Sequence, residues 1–172
     1  LNHTSLYQYH QGKLLIHLTV TFEQKPKNSL PGDNLRYYRK RQSFTTRQLA
    51  ESIGVVPATI IQYENNLHPI PYDAAVELAN ALEIEKSLLF DEFAVFLAKP
   101  YTEELRRIRM SQKLSKREFA ELIGITPRYY YKIEEGVRRP SRKVFQQIRQ
   151  SLKVDDRQTY ISIFFLHSYC TE

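Results

Sequence analysis

The stretch TTRQLAESIGVVPATIIQYE, residues 45–64, returns as SKREFAELIGITPRYYYKIE at residues 115–134. Each copy opens with a capping box, Thr45 with Gln48 and Ser115 with Glu118. There a hydroxyl is placed to accept from the N3 amide while the N3 side chain reaches back. Leu49, Ala50 and Ile53 follow in one copy, and Phe119, Ala120 and Ile123 in the other. Their i, i+1, i+4 spacing is the narrow apolar stripe of a short helix. Gly54 and Gly124 then end that helix, because glycine accepts the left-handed backbone of a sharp turn. Pro57 and Pro127 open the next helix at N1, where the missing amide has no helical partner to lose.

Working outward, Leu35–Ile84 lies over Leu105–Val154 without a gap at a shift of 70 residues. About a dozen positions are identical, too many and too ordered for chance. They are Leu35/Leu105, Arg36/Arg106, Arg39/Arg109, Gln42/Gln112, Arg47/Arg117, Ala50/Ala120, Glu51/Glu121, Ile53/Ile123, Gly54/Gly124, Pro57/Pro127, Glu64/Glu134 and Leu82/Leu152. The module is duplicated. Before the quoted stretch each copy predicts a first helix, from about Asn34 to Arg41 and from about Thr102 to Met110. After it come helices near Tyr72 to Leu82 and Arg142 to Leu152. Ile60 with Tyr63, and Tyr130 with Ile133, are expected to face the core.

Ala50-x-x-x-Gly54 followed by Ile60, Tyr63 and Glu64 resembles the helix-turn-helix of the lambda-repressor/Cro/XRE family. Ala120-x-x-x-Gly124 with Tyr130, Ile133 and Glu134 resembles it again, and the likeness covers about 120 of the 172 residues. The resemblance implies that a small residue lets helices two and three approach closely while the glycine makes the turn. It also implies ion pairs between helix one and the end of helix three, Arg39 with Glu64 and Arg109 with Glu134. Two departures stand out in the first copy. Val56 replaces the usual polar cap, which Thr126 supplies in the second copy. Asn65-Asn66 replaces Glu135-Gly136, although Asn also tolerates a left-handed turn.

Charge separates the copies. Leu35–Phe90 holds six basic and six acidic residues, whereas Leu105–Arg157 holds fifteen basic and six acidic. The whole chain carries a formal +6, a balance that favours an acidic partner, a nucleic acid or an anionic membrane. Phosphate neutralisation dominates affinity for a duplex, so the second copy is expected to supply most of it. The resemblance places Arg128, Tyr129, Tyr131 and Lys132 outward on helix three, where recognition residues stand. Arginine can pair with a guanine edge, and tyrosine can meet a thymine methyl or a phosphate. Of the tyrosines, Tyr129 is the expected contact. Arg138, Arg139, Arg142 and Lys143, with Ser141, suit backbone phosphates, and Lys116 and Arg117 join them at the start of helix two. An ordinary solvated surface is the plain alternative for all these charges. In the first copy the matching face offers Ala58, Thr59, Ile61 and Gln62. That copy is either a weaker second reader or a dimerisation and scaffold unit.

Other classes find less support. The single cysteine, Cys170, excludes an intramolecular disulfide and a cysteine zinc site. The histidines lack metal-site spacing, and no P-loop, GxSxG or HExxH motif occurs. The expectation is therefore a non-enzyme without cofactor or metal. No apolar run approaches the roughly 20 residues of a membrane span. Leu14–Phe22 lacks a cleavage site after it and is not read as a signal peptide. A reducing, cytoplasmic setting follows.

Leu14, Ile16, Leu18, Val20 and Phe22 alternate with polar residues, so Lys13–Gln24 predicts a half-buried strand. Thr159–Leu166 reads as a second strand, and the two are expected to pair with each other or across a dimer. Leu88–Leu97 predicts one apolar helix packed between the copies, with a dimer seam as the alternative. The fold class expected is mainly α: two tandem lambda-repressor-like helical bundles with short β-strands at the N- and C-terminal ends. The domains expected are 1–32 (strand and linker), 33–99 (first helix-turn-helix with connecting helix), 100–158 (second helix-turn-helix) and 159–172 (tail). The function this resemblance implies is a sequence-specific, double-stranded-DNA-binding transcriptional regulator, a repressor, acting as a homodimer. The alternative is an antitoxin-like interaction protein that binds a protein partner through the terminal strands and controls its own operon.

Overall fold

The computed structural model describes residues 2–10, 13–22 and 29–152. The chain divides into two compact units, Leu1–Asp91 and Glu92–Glu172. In the first unit the backbone of β1 (Asn2–His10) runs antiparallel to β2 (Lys13–Phe22), with Asn2 opposite Phe22 and a register shift at Gln8/Tyr9. The Thr159–Leu166 segment, anticipated as a strand, lies outside the described residues.

Four α-helices and a 3-10 turn complete the described part of the first unit. They are α1 (Pro31–Arg41), α2 (Thr46–Ser52), α3 (Pro57–Glu64), α4 (Tyr72–Ala81) and the 3-10 turn Lys86–Leu89. The second unit is α5 (Glu92–Ala98), α6 (Tyr101–Ser111), α7 (Lys116–Leu122), α8 (Pro127–Glu134) and α9 (Arg142–Ser151). Helix α1 starts three residues before the expected Asn34. Pro31 fits the first turn, and the Asp33 carboxylate accepts the Leu30 amide at 3.1 Å, so the start is capped earlier than the apolar pattern begins.

The capping boxes close as reciprocal pairs. Thr45 Oγ1 accepts from the Gln48 amide at 3.1 Å while the Thr45 amide donates to Gln48 Oε1 at 2.9 Å. Ser115 Oγ and Glu118 do the same at 3.2 and 2.8 Å. The turn that follows is made by Gly54 at φ 68° and Gly124 at φ 70°. The next amide then returns to the small residue of the helix, Val55 to Ala50 O and Ile125 to Ala120 O, each at 3.0 Å. A Cβ on Gly54 would meet nothing within 4 Å, so glycine is needed there for its backbone and not for space.

Equivalent positions fill the two cores. Leu35/Leu105, Leu49/Phe119, Ala50/Ala120, Ile60/Tyr130 and Leu78/Ile148 are all fully buried. Each large side chain among them contributes roughly 1.5–3 kcal/mol through lost apolar surface. The segment expected as one helix between the copies is divided instead. Leu89 is buried in the first core, with Phe90 packed against it, and Phe90 itself is extended at ψ 131°. Phe96 is buried in the second core, with Phe93 and Leu97 against it. An apolar run this dense has two cores to fill, and Asp91 supplies a residue type favoured just before a helix start.

The junction of the first and third helices is built differently in each unit. In the first, Asn66 takes a left-handed conformation at φ 54°. Its side chain accepts from the Gly32 amide at 3.0 Å and donates to Asp33 at 3.2 Å. A Cβ on Gly32 would lie 2.0 Å from Tyr63 O, so the backbones can meet only because Gly32 has none. In the second unit the left-handed residue is Gly136 at φ 75°, and Thr102 stands in the place of Gly32. The glycine has changed sides of the junction.

Candidate nucleic-acid interface

An arginine fixes the third helix of each unit. Arg109 Nε and Nη2 donate to the two oxygens of Glu134 at 3.0 Å each, and Nη1 donates to Leu114 O at 2.9 Å. Arg39 repeats the arrangement. Its Nη2 donates to Glu64 Oε2 at 2.9 Å, its Nη1 to Phe44 O at 2.9 Å, and its Nε to the remaining Glu64 oxygen. A planar guanidinium with five donors is the one side chain that can hold a helix end and a turn at once. Burial works to raise the Glu134 carboxyl, but the hydrogen bonds from Arg109 and the nearby positive charge of Lys116 outweigh it and hold the group below its ordinary range. Arg109 is raised in turn, chiefly by its hydrogen bonds to Glu134.

Within α8, Tyr130 and Ile133 are fully buried, and the Tyr130 ring packs on Phe119 at 5.1 Å. The Tyr130 hydroxyl is buried beside this ion pair without a hydrogen bond of good geometry among the described residues, and burial pushes its pKa up. The other side of α8 faces solvent. Arg128 and Lys132 are exposed, and neither side chain has an ion pair or hydrogen bond among the described residues. Tyr131 is 40% exposed. Lys116 is half-buried, 3.8 Å from Glu134, 3.9 Å from Glu135 and 5.2 Å above the Tyr131 ring.

Tyr129 differs from the expected solvent-facing contact. It is half-buried against the second core, and the Arg138 guanidinium lies 5.3 Å above its ring. Arg138 and Arg139 are exposed in the turn after α8. Ser141 Oγ accepts the Val144 amide at 3.3 Å and caps α9. Lys143, in the first turn of α9, is exposed, whereas Arg142 is half-buried with its guanidinium 4.8 Å above Phe93. Arg117 is exposed but pairs with Glu121 at 3.0 Å. The three cation–aromatic pairs, Lys116 with Tyr131, Arg138 with Tyr129 and Arg142 with Phe93, escape a reading by periodicity. Tyr129 and Arg138 meet only through the path of the turn between them.

The first unit presents the same surface with other chemistry. Ala58 and Gln62 are exposed on α3, Thr59 is half-buried, and Ile61 is 47% exposed. No charged side chain projects from α3 to solvent, since its one ionisable acid, Glu64, is buried and paired. Position by position on the last helix, Asp73 stands for Lys143, Tyr72 for Arg142 and Glu77 for Gln147. At these positions of the last helix the second unit carries two cations and a neutral side chain where the first carries one neutral and two acidic side chains.

Comparison with known proteins gives one family. A helix-turn-helix family model matches residues 35–89 and again residues 105–157. Nothing among curated proteins or solved structures matches the chain. None of the described helices is long and apolar enough to cross a membrane.

Proposed function

The chain belongs to the helix-turn-helix family of the lambda-repressor type, once in each repeat, and from that premise we propose a sequence-specific transcriptional repressor read out mainly by its second unit. The observation that carries this reading is the surface of α8. Arg128, Lys132 and Lys143 stand exposed with no carboxylate partner among the described residues. Charges left unneutralised by the protein are the ones free to displace counterions from a duplex. Arg128 and Lys132 are the proposed base-reading pair, a guanine edge being their natural partner. Arg138, Arg139 and Lys143 are proposed for phosphates, which set register and orientation. In the first unit Gln62, Thr59 and Ala58 offer few charged groups to DNA, and that unit contributes less.

The protein acts in this reading as a homodimer in the cytoplasm, presenting two second units to a pseudo-palindrome, and it performs no chemistry of its own. The test is selection from a randomised duplex pool, including DNA flanking the chain's own gene, at near-physiological salt. A single enriched motif with two half-sites supports a dimeric operator-binding protein. Co-purification of a small protein encoded next to it, with an enriched site in the flanking DNA, supports the antitoxin-like role instead, and enrichment of no sequence contradicts both.

A further inference from the structure

The duplication supplies an internal control. What both units share is what the fold requires; a feature of one unit alone, at a turn that closes the same way in both, is free to serve something else. The Arg–Glu pair, the capping boxes and the glycine turn occur in both. The stack of Arg138 on Tyr129 occurs only in the second, where the first unit has His68 and Thr59 at those positions. The turn itself closes without it. Asn66 donates to Tyr63 O at 2.9 Å and Gly136 to Ile133 O at 3.0 Å, so backbone bonds hold both turns.

Arg138 also differs from the arginines of its unit that pair with a carboxylate. Arg107 pairs with Glu104, Arg117 with Glu121 and Arg149 with Glu92. Arg138 has no carboxylate partner among the described residues. Its guanidinium lies over a neutral ring, and its backbone amide donates to Lys132 O at 3.0 Å, tying it to the end of α8. A cation placed on an aromatic face is held in direction while keeping its full charge and its donors. Tyr129 is itself half-buried against the core, so the platform is fixed.

We propose that Tyr129 is a positioning residue that orients Arg138 to bind a backbone phosphate of the duplex beside the reading helix. The inference rests on the second unit being the DNA reader. Tyr129 itself touches no base. Its ring replaces the conformational freedom that an exposed arginine would otherwise lose on binding.

The test is a double-mutant cycle of Tyr129→Leu and Arg138→Ala, read as duplex affinity by fluorescence anisotropy over a salt series. Tyr129→Phe serves as the conservative variant, and thermal unfolding checks that each variant folds. Arg138→Ala is expected to lower the slope of log K against log salt by about 0.9, one phosphate. Tyr129→Leu is expected to weaken binding about two- to fivefold, with Tyr129→Phe close to wild type. In the Arg138→Ala background, Tyr129→Leu is expected to have no further effect. Additive losses, or a Tyr129→Phe defect equal to that of Tyr129→Leu, would overturn the positioning role and leave the DNA-binding reading intact. A wild-type chain that binds no duplex would overturn both.

Discussion

At the scale of single residues, the Arg109–Glu134 pair decides how α8 is posed. The Glu134 side chain has no solvent exposure and that of Arg109 only 14%. Removing one partner strands the other charge in the core, which costs more than the pair contributes when intact. Glu134→Gln is expected to cost ~3 kcal/mol in urea unfolding at neutral pH. The sign with pH follows from the lowered pKa of Glu134. Its contribution is fully present above the unfolded carboxyl value of about 4.3 and is lost as pH falls through the lower folded value. Wild-type stability should therefore drop more steeply than that of Glu134→Gln below about pH 4. Parallel slopes in the two proteins would show that Glu134 does not link folding to acid. Tyr130 makes an opposite case. Its hydroxyl is buried with no hydrogen-bond partner among the described residues, so Tyr130→Phe should leave stability unchanged or raise it by up to about 1 kcal/mol, whereas a loss of stability in thermal unfolding would reveal a bond to the ion pair.

At the scale of elements, the junction between helices one and three shows how the copies diverged without losing the fold. The first unit needs its small residue on α1, because any Cβ at Gly32 meets the backbone oxygen of Tyr63. The second carries Thr102 there, and Gly136 is set by its left-handed backbone at φ 75°, since a Cβ on it would come only to ordinary contact with Thr102 at 3.6 Å. Gly32→Ala is expected to destabilise the first unit by roughly 1–3 kcal/mol, although alanine is the better helix former. A stabilised Gly32→Ala protein in a denaturant titration would contradict the close approach. Much of each unit was legible in sequence at this scale. Caps, the turn glycine and the ion-pair residues are local signals, and their recurrence at a fixed shift removes most accidents. This exchange was not legible, because Gly32 and Thr102 precede the aligned Leu35 and Leu105. Nor was the division of residues 86–98. A dense apolar run gives the same periodicity whether it fills one core or two.

At the scale of the whole molecule, one fold has been used twice with two surfaces. The charge difference between the copies is a property of sequence and needs no structure to see. The state of each charge does. Arg128, Lys132 and Lys143 are exposed with no carboxylate partner among the described residues, Arg117 is committed to Glu121, and Tyr129 is half-buried beneath the Arg138 guanidinium. Composition counts all of these alike, because pairing depends on which side chains the turns bring within reach. In the proposed function the second unit reads DNA and the first adds little. The most direct test is duplex anisotropy on the selected site and on a scrambled one. The wild type would be compared with the Arg128→Ala, Lys132→Ala double variant and with Gln62→Ala at one salt concentration. The account predicts that the double variant loses at least about tenfold in affinity for the selected site, and with it the preference over the scrambled one, whereas Gln62→Ala changes affinity less than about threefold. Retained preference in the double variant, with its loss in Gln62→Ala, would contradict the account and make the first unit the reader.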